Sequence, residues 1–142
     1  GPTTGRQNDM DIITQLAVFL ENKPGALARM CRALEEEKIN ILGLTVSDTV
    51  DHSVIRMVVS DTRKALHVLE QRNVLVVESE VIMMENDNKP GGLATVAEKL
   101  AKAGINIEYA YLANGPRNRK GMLFLRPGNV EKALKTLSAF DD

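Results

Sequence analysis

Apolar and polar positions follow two different rhythms along this chain, and the rhythm changes at fixed places. Residues 12–20, IITQLAVFL, form an apolar run of strand length rich in β-formers. Pro24-Gly25 breaks it. Leu27, Met30, Cys31 and Leu34 then recur at i, i+3, i+4 and i+7, the one-sided spacing of a helix reaching about Glu37. Leu42, Leu44 and Val46 alternate with Gly43, Thr45 and Ser47 in the two-residue period of a strand. Residues 48–53 read as a turn and residues 54–59, VIRMVV, as the next strand. Asp61-Thr62 offers the cap of a second helix that turns Ala65, Leu66 and Leu69 inward. VLVVESEV, at 74–81, closes the set as a strand.

The pattern then starts again. ENKPGALA at 21–28 returns as DNKPGGLA at 87–94, with Asn22 and Asn88 standing 66 residues apart. Leu34 and Leu100 keep that offset, as do Ile39-Asn40-Ile41 and Ile105-Asn106-Ile107, so the chain is an internal duplication. Leu93, Val96, Ala97 and Leu100 repeat the helical face. No turn signal separates residues 81–85, VIMME, from the strand before them, so 74–87 reads as one long strand shared by both copies. Residues 109–113 and 122–125 supply two more strands around the polar loop NGPRNRKG, and Asn129 caps a helix bearing Val130, Ala133, Leu134 and Leu137. The order predicts an α+β fold of two tandem ferredoxin-like βαββαβ units, each an antiparallel sheet with its helices on one face. The second unit is expected to lack its last strand. That leaves an open edge, which another repeat or a second chain should pair. The boundaries read as a flexible leader at 1–10, repeat 1 at 11–79 and repeat 2 at 80–142.

Composition narrows the function. A hydrophobic content of 44% over 142 residues supports a core, but units of about 60 residues bury only about 60% of their unfolded surface and should lean on a partner. A net charge of −1 provides no basic stripe for nucleic acid. The few aromatics are not interleaved with Arg or Lys as base-stacking platforms would be. No apolar run approaches the ~18 residues of a membrane span. The single cysteine, Cys31, leaves no internal disulfide framework and fits a reducing compartment. A cytoplasmic protein with neither nucleic acid nor membrane as partner is expected. No nucleophile stands beside a base, no carboxylates converge and no metal spacing occurs, so neither enzyme activity nor a cofactor or metal is expected. His52 and His67 read as solvated, Tyr109 and Tyr111 as packing residues on one strand face, and Arg117, Arg119 and Lys120 as a solvated loop.

The repeated Asn-Lys-Pro-Gly carries the candidate chemistry. Proline suits the first helical position, where its missing N–H costs nothing. Gly25-Ala26 and Gly91-Gly92 then leave backbone N–H groups bare at the positive end of a helix, a site for a small anion such as a carboxylate. Asn22 and Asn88 add amides that donate and accept, and Asn40 and Asn106 stand after the helix at the entrance to the next strand. Donors for a carboxylate and acceptors for an ammonium suit an amino acid. The same pattern also serves as a plain strand-to-helix turn, and Asn40 and Asn106 as loop brackets.

NKPGALARMCRALEEEKINI and NKPGGLATVAEKLAKAGINI resemble the ACT-domain family, small βαββαβ modules that bind amino acids and regulate metabolic enzymes. The likeness covers almost all of residues 11–140 as a free-standing tandem pair. It implies a regulatory sensor with an amino acid held at the Asn-Lys-Pro-Gly turns between paired repeats, a homodimer, and a metabolic enzyme as a further partner. The alternative is a ligand-free interaction module pairing through sheet edges. Carried over by matching positions, the resemblance implies ligand contacts at Asn22, Gly25, Ala26 and Asn40, and at Asn88, Gly91, Gly92 and Asn106. Serine-sensing relatives place a histidine two residues before the loop asparagine, where this chain has Leu20 and Asn86. Only Asn86 can hydrogen-bond a polar ligand, which favours the second repeat.

Overall fold

A computed structural model describes residues 10–139. Of the expected leader only Met10 falls among them, and the rest lies outside the described residues. The elements are β1 (Met10–Glu21), α1 (Ala26–Glu36), β2 (Ile41–Asp48), β3 (His52–Val59), α2 (Thr62–Gln71), β4 (Leu75–Asp87), α3 (Gly92–Lys102), β5 (Ile107–Ala113), β6 (Lys120–Pro127) and α4 (Val130–Ala139). They form two compact units, one of Thr14–Ser79 and one of residues 10–13 with 80–139.

In the first unit the strands lie in the order β2-β3-β1-β4. β1 runs antiparallel to β3 with Leu16 opposite Met57 and Val18 opposite Ile55. Directly opposed residues share a face, so Leu16, Val18 and Leu20 meet Ile55, Met57 and Val59 on one side of the sheet. Met30, Ala33 and Leu34 of α1 and Ala65, Val68 and Leu69 of α2 close over that side. Each large side chain buried there contributes roughly 1.5–3 kcal/mol. The helix ends are set by left-handed residues, Lys38 at φ 60° after α1 and Asn73 at φ 57° after α2. The Lys38 N–H donates to the Glu35 carbonyl at 2.8 Å and the Ile39 N–H to the Leu34 carbonyl at 3.0 Å, which occupies two of the last helical acceptors.

The second unit has the same architecture, with strand order β1-β4-β6-β5. Ile82 lies opposite Leu125, and these two pack with Val96, Leu100, Leu123, Val130, Ala133 and Leu137. Asn129 caps α4 as expected, accepting from the Lys132 N–H at 3.0 Å. Tyr111 stacks on Phe124 with ring centroids 5.0 Å apart.

The edge expected to need a partner finds it in the other repeat, one of the two partners expected for it. No strand follows α4 among the described residues, but the edge beside β4 is not open. The start of β1 fills it, and Met10 and Ile12 pack into the second core. The physical reason is strand length. β1 has 12 residues, about twice the common strand length of 5–6, enough for its two ends to serve different cores. Leu16, Val18 and Leu20 serve the first core while Met10 and Ile12 serve the second. Residues 11–13, read from sequence as part of repeat 1, therefore group with repeat 2.

Candidate functional site

Both Asn-Lys-Pro-Gly stretches fold the same way, and not with proline inside the helix. α1 begins at Ala26 and α3 at Gly92, each after a glycine N-cap in the left-handed region: Gly25 at φ 91°, Gly91 at φ 87°. The Ala26 N–H donates to the Lys23 carbonyl at 3.3 Å and the Gly92 N–H to the Lys89 carbonyl at 3.1 Å. Each Lys-Pro-Gly-X is thus a type II turn: proline presets the second position, and the third needs the positive φ that glycine adopts without cost. The expected placement of Pro24 and Pro90 at the first helical position is corrected accordingly.

Neither glycine cap provides a side-chain hydrogen bond to the helix start. The next amides, of Leu27 and Ala28 and of Leu93 and Ala94, have no protein acceptor among the described residues. The bare helix mouth expected from sequence is therefore present in both copies.

The loop asparagines are largely engaged elsewhere. The Asn88 side-chain amide donates to the carbonyls of Gly115 and Asn118, each at 2.6 Å, and its backbone N–H to the Arg119 carbonyl at 2.9 Å. The Asn22 amide donates to the Asp48 carboxylate and, at 3.1 Å, to the Thr49 carbonyl. Each asparagine ties the turn to the tip of the neighbouring hairpin. The Asn22 oxygen accepts from Ser53 Oγ at 3.5 Å; the Asn88 oxygen has no donor among the described residues.

Asn40 and Asn106 lie at the far end of the helix. The Asn40 backbone exchanges bonds with Ser60, its N–H donating to Ser60 Oγ and its carbonyl accepting from the Ser60 N–H, both at 2.9 Å. The Asn106 carbonyl accepts from the Gly128 N–H at 2.9 Å. A helix of 11 residues spans about 16 Å, so within one unit the loop asparagine and the strand asparagine cannot touch the same small ligand. The structure brings together Asn22, Gly25 and Ala26, and likewise Asn86, Asn88, Gly91 and Gly92. It does not bring Asn40 or Asn106 to them.

The two mouths differ. In the second unit Asn86 is only 7% exposed, yet its side chain has no hydrogen bond to the described residues. A Cβ built on Gly92 would lie 3.6 Å from Asn86 Nδ2 and 2.5 Å from the Asp87 carbonyl oxygen, so glycine keeps this approach clear. The Thr95 hydroxyl folds back onto the Gly91 carbonyl at 3.0 Å. In the first unit buried Leu20 takes the place of Asn86, and Arg29 takes that of Thr95. Its guanidinium reaches over Gly25, 2.8 Å from where a Cβ would stand. Sequence reading missed Arg29, although comparing positions 29 and 95 across the duplication reveals the difference.

Charge frames each turn. The Lys120 ammonium, hydrogen-bonded at 2.9 Å, holds the Asp87 carboxyl below the usual carboxylate range, and Lys89 adds a smaller pull. Lys23 does the same to Glu21 from 3.0 Å. Among the described residues no group of His, Cys, Asp and Glu is arranged to hold a metal ion, and no helix is long and apolar enough to cross a membrane.

Known proteins share this architecture. The chain is similar over 92% of its length to protein BT0572 from Bacteroides thetaiotaomicron, at 32% identity and a TM-score of 0.86, covering 90% of that chain. It superposes on the ligand-free regulatory subunit of aspartate kinase from Thermus thermophilus with a TM-score of 0.69 at 16% identity, covering 92% of this chain and 95% of that one. The regulatory subunit of aspartate kinase from Thermus flavus gives 0.63 at 18% identity, with the same coverages. At those identities the two Thermus proteins show the fold. No curated protein sequence matches the chain. The profile of the ACT domain pair family matches residues 10–139, and on that match the chain belongs to the ACT domain pair family.

Proposed function

We propose that this protein is an amino-acid-binding regulatory module whose ligand docks at the turn before α3. The observation that carries this reading is Asn86, a residue only 7% exposed whose amide makes no hydrogen bond to the described residues and stays open to solvent, beside a helix start that glycine keeps clear. With no protein partner among the described residues, the Asn86 amide is free to exchange water for the polar groups of a ligand. The amides of Leu93 and Ala94 would take the carboxylate, while the oxygens of Asn86 and Asn88 would accept from the ammonium. Binding to the folded state stabilises it by mass action, so ligand level biases assembly or contact with a metabolic enzyme.

A thermal-shift screen of the twenty amino acids tests this. At least one should raise the melting temperature of the wild type and fail to raise that of Asn86→Leu, which installs the first-repeat residue. No shift with any amino acid at millimolar concentration would defeat the reading, and an unchanged shift in the variant would move the site elsewhere.

Pairing through sheet edges has its own support. β2 is an edge strand of the first unit, with Leu42, Leu44 and Val46 exposed along it. A homodimer built on that edge would cover apolar surface and unpaired backbone together. Light scattering reporting a monomer at all concentrations would exclude it.

A further inference from the structure

A cleft beside the first Asn-Lys-Pro-Gly turn plays no part in the site proposed before α3. The end of β1, the start of α1, the end of α2 and the approach to β4 enclose about 380 Å³, within the range of small-molecule sites. Leu20, Met30 and Leu69 line it as buried apolar surface. Arg29 and Arg72 also line it, and neither guanidinium has an ion pair or hydrogen bond among the described residues. Glu21 is the one carboxylate in the lining, and it is engaged by Lys23 at 3.0 Å, with Arg29 adding only a weaker pull.

We propose that this cleft binds a small carboxylic acid with an apolar body of a few carbons and no ammonium group. Two arginines line the cleft against one carboxylate that Lys23 already engages, so the lining carries a net positive charge, which favours an anionic head group. A planar carboxylate also matches the guanidinium fork. An ammonium would be repelled by both arginines and would find its only carboxylate acceptor occupied. The apolar lining selects a body of a few carbons over a bare anion. The apolar wall and the cation belong to this copy: the second has Asn86 and Thr95 where the first has Leu20 and Arg29. The inference rests on the first unit alone and stands whether or not the α3 turn binds an amino acid.

Titrating the full chain with 4-methyl-2-oxopentanoate, followed by amide NMR, is the test. Saturable displacement of the Ala26, Asn73 and Val74 signals is expected, weakening as salt is raised. Arg29→Ala and Arg72→Ala should each weaken binding by about tenfold or more; both side chains are exposed, and circular dichroism confirms that the variants fold. L-Leucine, with the same branched body plus an ammonium, and acetate, which lacks the body, should each bind these signals at least about tenfold more weakly. No saturable change with millimolar probe would overturn the proposal. So would a double arginine variant that binds like the wild type, L-leucine or acetate binding equally well, or displacements confined to residues 88–94.

Discussion

Replacing Gly92 by alanine sets two known effects against each other. Helix propensity alone favours the change by up to about 1 kcal/mol, because glycine loses more backbone freedom on folding. The structure opposes it: the added Cβ would sit 2.5 Å from the Asp87 carbonyl oxygen, where Cβ atoms stay beyond 3.0 Å. That oxygen belongs to the last residue of β4, so relief requires moving backbone. Overpacking of this kind costs about 1–3 kcal/mol, and with the full propensity gain set against it the net expectation is a loss of up to about 2 kcal/mol. Ala26, at the matching position of the first unit, provides the internal control. There Ala26→Gly should cost about 0.5–1 kcal/mol from propensity alone. Urea unfolding followed by circular dichroism reads both changes as midpoint shifts at constant slope. If Gly92→Ala were more stable than the wild type by the propensity gain, the close approach between α3 and β4 would be wrong.

Three further outcomes are expected. Asn88→Ala removes two hydrogen bonds to the β5–β6 hairpin, so amides around residues 115–119 should exchange faster by hydrogen-exchange NMR, with a stability loss of about 1–3 kcal/mol. Lys38→Gly should stabilise by about 0.5–1 kcal/mol, because relief of a left-handed lysine outweighs the added unfolded-state freedom; Gly104 already holds that position in the second copy, and thermal unfolding measures the gain. The lowered Asp87 carboxyl contributes stability that is full above its unfolded value of about 4 and is lost as pH falls through the lower folded value. Asp87→Asn should therefore flatten the acid limb of urea stability measured against pH, and an unchanged limb would show that Lys120 and Lys89 do not act through this group.

Much of the fold was legible because its signals are local. The helical spacing from Leu27 to Leu34, the alternation from Leu42 to Val46 and the caps at Asp61 and Asn129 each reside in a few neighbouring residues. The repeat made them legible twice. The role of Met10 and Ile12 was not, because the strand they complete depends on residues some seventy positions later, and short-range periodicity has no term for that. At the candidate site the chain announced a bare helix start and the amides beside it. It could not show that Asn88 donates to Gly115 and Asn118, or that Arg72 lines the same cleft as Arg29, since both depend on how hairpins and helix ends return to the turn.

Because the second unit borrows its outermost strand from the beginning of β1, cutting the chain near residue 79 does not yield two complete units. During synthesis, residues 10–13 emerge first and wait for their partner strand until the second copy has been made, so the second unit closes late. A fragment starting at residue 80 would present a raw strand edge, whereas a circular permutant carrying residues 10–13 behind α4 would restore it.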